Sequence, residues 1–152
     1  MIFEFGKYKV DIDVMRTASF FETSLRAGET CPCDGCQNFD KASYLMPEEL
    51  KGFFRKMGAD LAKPSECFVY YKDEDGQLLY GGFYHLCGAI LEAPEGDVSE
   101  GQEDRLYTVN EDFKISFLKE VDLLEEGFHE PVIQMEFLAR IPWTLNKENS
   151  YN

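Results

Sequence analysis

The chain is short of positive charge. Fifteen Lys and Arg stand against 29 Asp and Glu in 152 residues, a net charge of −14. A field of that sign repels phosphate backbones and anionic lipid, so a nucleic-acid partner and a membrane surface are both excluded as expectations. A basic protein partner would be attracted instead. No window approaches the roughly 18 apolar residues that cross a bilayer. No basic head followed by an apolar run stands at the N-terminus, so no signal peptide is visible and a cytoplasmic location is expected. The cysteine count of five is odd, which argues against a fully paired secreted framework and for a reducing compartment.

Motif chemistry is also sparse. There is no Gly-x-Gly-x-x-Gly and no Gly-Lys-Ser/Thr phosphate loop. Ser24, Ser43, Ser65 and Ser116 lack a nucleophile-elbow context, which leaves a serine hydrolase without support. Asp73-Glu74-Asp75-Gly76 is too short for a calcium loop and lacks the closing Glu. Acid pairs such as Glu103/Asp104 fall in loops, where they solvate the surface. Nothing nominates an enzyme.

What the chain does have is Cys31-Pro32-Cys33-Asp34-Gly35-Cys36, three thiols within six residues. Three readings fit. Zinc prefers four sulfur or nitrogen ligands in a tetrahedron, and Cys33-x2-Cys36 supplies two at natural spacing, with Cys31 as a third. The fourth must come from afar: His85 is the first candidate, Cys87 and Cys67 the next. The weakness is the missing second Cys-x2-Cys or His-x3-His pair. A redox reading uses Cys33 and Cys36 as a dithiol ahead of a helix, but the preceding Arg26-Ala27-Gly28-Glu29-Thr30 lacks the apolar strand of thioredoxin-like folds. The third reading is free thiols packed in a small turn. His129, beside Glu130-Pro131, receives no role.

The remaining pattern gives the fold class. Tyr8, Val10, Ile12 and Val14 alternate with Lys7, Lys9, Asp11 and Asp13, a half-buried strand over 7–14. Residues 17–27 have no clean period and stay open between strand and short helix. Asn38 is placed to cap a short helix near 39–45. A firmer helix is expected at 47–57: Pro47 opens it, and Leu50, Phe53, Phe54 and Met57 form one stripe. Gly58 is placed to end it. Strands follow near 68–71, 78–91, 113–117 and 133–141, with Gly81-Gly82 marking a bulge or close backbone approach. Six acidic residues between Glu92 and Asp104 read as a solvated loop. The expectation is α+β: a mainly antiparallel sheet of about five or six strands, one domain over 1–145, and a polar tail, 146–152, with nothing to bury.

Three segments together resemble a set of uncharacterised bacterial single-domain proteins. They are Cys31-x-Cys33-x2-Cys36-x-Asn38-Phe39, then Tyr80-Gly81-Gly82-Phe83-Tyr84-His85, then Gln134-Met135-Glu136-Phe137 ahead of Ile141-Pro142-Trp143. The likeness runs over nearly the whole chain. It implies a bacterial origin and one domain, and it carries over no catalytic residue. By analogy it suggests a small protein-binding module, of the immunity type that neutralises a toxin. The leading functional expectation is therefore a cytoplasmic binding protein whose acidic 92–104 loop meets a basic partner. A zinc protein and a Cys33/Cys36 thiol enzyme are the alternatives.

Overall fold

The computed structural model describes residues 1–95, 103–126, 128 and 130–152. Their order is β1 (Ile2–Phe5), β2 (Tyr8–Ile12), α1 (Val14–Thr23), α2 (Ala27–Thr30), α3 (Asp34–Ser43) and α4 (Glu48–Lys56). Strands β3 (Glu66–Lys72), β4 (Leu78–Glu92), β5 (Tyr107–Asn110), β6 (Phe113–Leu118) and β7 (Val132–Ile141) follow. All strand pairs are antiparallel, in the order β1-β2-β4-β7-β6-β5, and β3 also pairs with β4. Among the described residues the sheet has seven strands rather than five or six. The short hairpin partners β1 and β5, four residues each, fall below the length at which alternation announces a strand.

β4 organises the sheet. Its 15 residues pair along one edge with β7 from Leu78 to Cys87. The opposite edge is shared, β3 taking the first half and β2 the last. Between those two, α1 covers the edge: Asp13 N–H donates to Cys87 O, and Cys87 N–H donates to Thr17 Oγ1, 3.1 Å away. The expected bulge at Gly81-Gly82 is absent from the β4–β7 ladder, whose register is continuous. The glycines serve close approach instead. A Cβ on Gly82 would lie 2.1 Å from Glu66 O, and the rings of Phe68 and Tyr70 cover Gly81. The register shift lies across the ladder, in β3 between Val69 and Tyr71.

One face of the sheet carries Tyr80, Tyr84, Leu86, Ile115, Phe117, Met135, Phe137 and Ile141, all buried. Helices α3 and α4 cover this face. The nine-residue α4 is too short to persist alone in water. It holds because Leu50, Phe54 and Met57 are at most 1 % exposed, each such burial contributing about 1.5–3 kcal/mol. Phe54 packs on Tyr84 and Phe113 with ring centroids 4.8 and 5.7 Å away.

One sequence expectation near the N-terminus is corrected, and an open segment is assigned. The strand expected over 7–14 ends at Ile12, because the Asp13 carboxylate accepts from Arg16 N–H and starts a helix. That helix, α1, settles most of the open segment 17–27. The C-terminal tail also differs from expectation. Tyr151 packs against the core, and Lys72 N–H donates to Asn152 O at 3.0 Å, extending the edge beside β3.

Candidate metal centre

The cysteine segment sits where α2 turns into α3. Helix α2 is a single turn, held by Arg26 N–H donating to the Glu29 carboxylate at 2.9 Å. Gln37 reaches back from α3 and donates to both Gly28 O and Cys31 O, at 2.8 and 2.9 Å, fixing the bend between the two helices. Arg26 closes the pair by its 2.9 Å bridge to Asp40. The turn is therefore tied from both sides before any sulfur is considered.

Helix α3 begins at Asp34, five residues earlier than expected. Its cap is Cys33, whose Sγ accepts from Cys36 N–H at 3.4 Å. Asn38, expected as the cap, lies inside the helix and is fully buried. Its Nδ2 donates to Pro142 O and Tyr80 Oη, and its Oδ1 accepts from Thr144 N–H and Oγ1. Tyr80 in turn donates to Gly35 O at 2.7 Å. These bonds pin the start of α3 to β4 and to the chain beyond β7.

That pinning sets the geometry of the thiols. The Sγ atoms of Cys31, Cys33 and Cys36 lie within 4.8 Å of one another, and all five cysteines are free thiols. This group is close enough to hold a metal ion. Cys31 and Cys33 approach to 3.1 Å. On the inner side Cys36 Sγ lies 3.8 Å from Cys67 Sγ of β3. A cleft of about 440 Å³ opens onto the group, lined by Cys31, Cys33, Cys67, Glu66 and Tyr151 among others. Tyr151 Oη accepts from Gly35 N–H at 3.1 Å, so the C-terminal tail forms one wall.

The thiols divide by environment. Cys33 is exposed and Cys31 half-buried, whereas Cys36 is buried. The hydrogen bond with Cys33 lowers the pKa of Cys31 below the usual thiol value. Burial pushes the Cys36 thiol far up, with the neighbouring Cys67 adding to it. Burial likewise raises Cys67, to about 12. The Cys31 thiol is thus eased toward ionisation, whereas Cys36 and Cys67 stay protonated unless a cation replaces their protons.

His85 is not brought to this group. Cys67 is registered opposite Gly82 and so shares its face of the sheet, whereas His85, three residues on, points to the other. There its Nε2 faces Gln134 Oε1 at 3.1 Å, and its Nδ1 faces Glu125 at 2.9 Å and Ser65 Oγ at 3.3 Å. Gln134 cannot flip without loss, because its Oε1 accepts from Asp122 N–H and its Nε2 donates to Asp122. Burial acts to raise the Glu125 carboxyl, but the hydrogen bonds from His85 and Ser65 outweigh it and hold its pKa below the ordinary value. His85 is a buried hydrogen-bonding residue in this arrangement. Cys87 is committed elsewhere too, beside Thr17 of α1. Of the three fourth-ligand candidates, Cys67 is the one whose sulfur meets a sulfur of the cluster. His129 lies outside the described residues.

No family model, curated protein or solved structure matches the chain.

Proposed function

We propose that the chain is a zinc protein in which Cys31, Cys33, Cys36 and Cys67 hold one ion as a structural cross-link. The observation that carries this reading is the mutual approach of three thiols, with a fourth 3.8 Å behind the innermost. Four sulfurs about 2.3 Å from a tetrahedral zinc stand about 3.8 Å apart. Cys36 and Cys67 already have that separation, Cys31 and Cys33 would open by about 0.7 Å to reach it, and Cys67, which stands outside the 4.8 Å group of the other three, would close toward the outer pair. An all-sulfur set is soft, which favours zinc over calcium or magnesium. It leaves no open coordination position, so the ion would act on stability rather than on a substrate. The Cys36 N–H aimed at Cys33 Sγ is a ready donor to a coordinated thiolate.

Native mass spectrometry of reduced protein, purified without added metal, tests this reading. The expected mass carries one zinc per chain, which chelator removes. Cys33→Ser and Cys36→Ser should abolish it, and His85→Ala should leave it in place. An apo mass with five free thiols from untreated protein would remove the zinc reading.

A protein-binding role is a second reading, supported by the net charge of −14. Glu92 and Glu95 are exposed, and residues 96–102 of the acidic stretch lie outside the described residues. A basic partner should bind more weakly as salt rises. Replacing Glu95, Asp97, Glu100 and Glu103 by Gln should weaken it further. Affinity insensitive to both changes would rule out this surface. Among the described residues no helix is long and apolar enough to cross a membrane.

A further inference from the structure

We infer that Cys31 and Cys33 form a redox-modification site: a hydroperoxide closes them into a disulfide, and closure ejects the metal ion. The metal-release half rests on the zinc reading. The disulfide itself rests only on the placement of two thiols.

The sequence spacing suggests Cys33 and Cys36 as a dithiol, but the structure pairs the thiols differently. Cys31 and Cys33 Sγ stand 3.1 Å apart, about 1 Å beyond a disulfide bond. Both residues have extended backbone, Cys31 at φ −147°, ψ 129° and Cys33 at φ −66°, ψ 155°. Residues two apart on extended chain project to the same side. Pro32 between them has no N–H to lose as the pair draws together. Cys36, by contrast, is 8 % exposed, and its sulfur faces Cys67.

Access singles out the first sulfur to react. Cys33 is the one exposed thiol of the four that line the 440 Å³ cleft. A small peroxide therefore meets Cys33 first, and the sulfur nearest to resolve it is Cys31 at 3.1 Å. Susceptibility to oxidation follows exposure, and a sensor cysteine is commonly set beside a resolving one.

The chemistry balances without further reagents. The Cys33 thiolate attacks the terminal oxygen of the hydroperoxide, and the O–O bond breaks. The leaving alkoxide takes a proton and departs as an alcohol, or as water from hydrogen peroxide. Cys33 is now a sulfenic acid. Cys31 sulfur attacks Cys33 sulfur, the S–O bond breaks, and the departing hydroxide leaves as water, taking the Cys31 proton in the metal-free protein and a solvent proton where the ion has already displaced it. Two thiols have lost two electrons in total, and the peroxide has gained them. With two of four ligands consumed, Cys36 and Cys67 alone cannot retain the ion.

The test exposes zinc-loaded and chelator-stripped full-length protein to equimolar hydrogen peroxide. After acid quench, free thiols are blocked with one reagent, disulfides are reduced, and the released thiols take a second label. Peptide sequencing then locates the second label, and a chromogenic chelator counts released zinc. The expected result is a loss of two free thiols per chain, with the second label on Cys31 and Cys33 in both samples. The loaded sample should release one zinc per disulfide. Cys36→Ser should still form the disulfide, and Cys31→Ser should not. Second label on Cys33 with Cys36, or on Cys36 with Cys67, would overturn the assignment, as would irreversible oxidation of Cys33 alone. Failure of the zinc reading is separately visible: the Cys31–Cys33 label would appear with no zinc released.

Discussion

Asn38→Ala will lower the stability of this protein by about 2 kcal/mol, about 4–8 °C in melting temperature. The side chain is 0 % exposed and makes four hydrogen bonds. Truncation removes the partner of Thr144 N–H and of Pro142 O, both at the part-buried rim of the site, where water recovers some of the loss. Each buried group left unsatisfied costs about 1–3 kcal/mol, and neighbouring losses are not fully additive. Tyr80 is partly spared, because it keeps its bond to Gly35 O. Asn38→Asp is the sharper companion. It preserves shape and the acceptor toward Thr144 but turns both donors into acceptors facing Pro142 O and Tyr80, and it buries a charge. Thermal denaturation at pH 7 should find Asp at least as destabilising as Ala. If both variants melt within about 2 °C of the parent, less than 1 kcal/mol by the same scaling, the network does not anchor α3 as described.

Much of the α+β architecture was legible in local pattern. The Leu50-Phe53-Phe54-Met57 stripe yields a helix within a residue of its observed bounds, because core-facing spacing and helix-end charge agree there. The alternation Ile133, Met135, Phe137, Ala139, Ile141 places five side chains in the core, and all five are buried. The α1 helix was obscured because its buried positions are Thr17 and Phe21, and a buried threonine adds nothing to an apolar count. Asn38 was misread for a related reason. Asn is a good cap by propensity, but its partners are 42 and more residues away in sequence, beyond any local signal. The early start of α3 has a cap of low propensity, a cysteine.

The site was half legible. Spacing groups Cys31, Cys33 and Cys36, and the structure brings their sulfurs together. Period two puts His85 and Cys87 on one face of β4, but alternation along a strand cannot say which face the helices cover. That is decided by the register of β3 on β4, which sets Cys67 opposite Gly82. The one clue in sequence was Gly82 itself, marking where another strand comes close. It did not say that the approaching strand carried a thiol.

The same cross-strand placement gives zinc its largest expected effect. Zinc-loaded protein should melt about 8–16 °C above stripped protein when free zinc is about 1,000-fold over its dissociation constant. Selective binding to the native state then contributes about 4 kcal/mol, at about 2–4 °C per kcal/mol for a chain of this size. The sulfurs come from the turn before α3, its first turn, and edge strand β3. An ion joining them closes the chain between Cys36 and Cys67, whose sulfurs in the metal-free state are in 3.8 Å thiol contact. Cys67→Ser should remove more than half of the zinc-dependent increment, because it removes the ion's link to β3 while leaving the three thiols of the α3 turn. Cys87→Ser is the informative control. That thiol is equally committed to the interior, 4 % exposed, but stands beside α1 and away from the cluster. It should lower the melting temperature of loaded and stripped protein alike and leave their difference intact. Calorimetry of the three proteins, each loaded and stripped, decides the matter. Equal melting temperatures with and without zinc in the parent would show that the thiols stabilise by packing alone. A Cys87→Ser increment as small as that of Cys67→Ser would place the ion elsewhere.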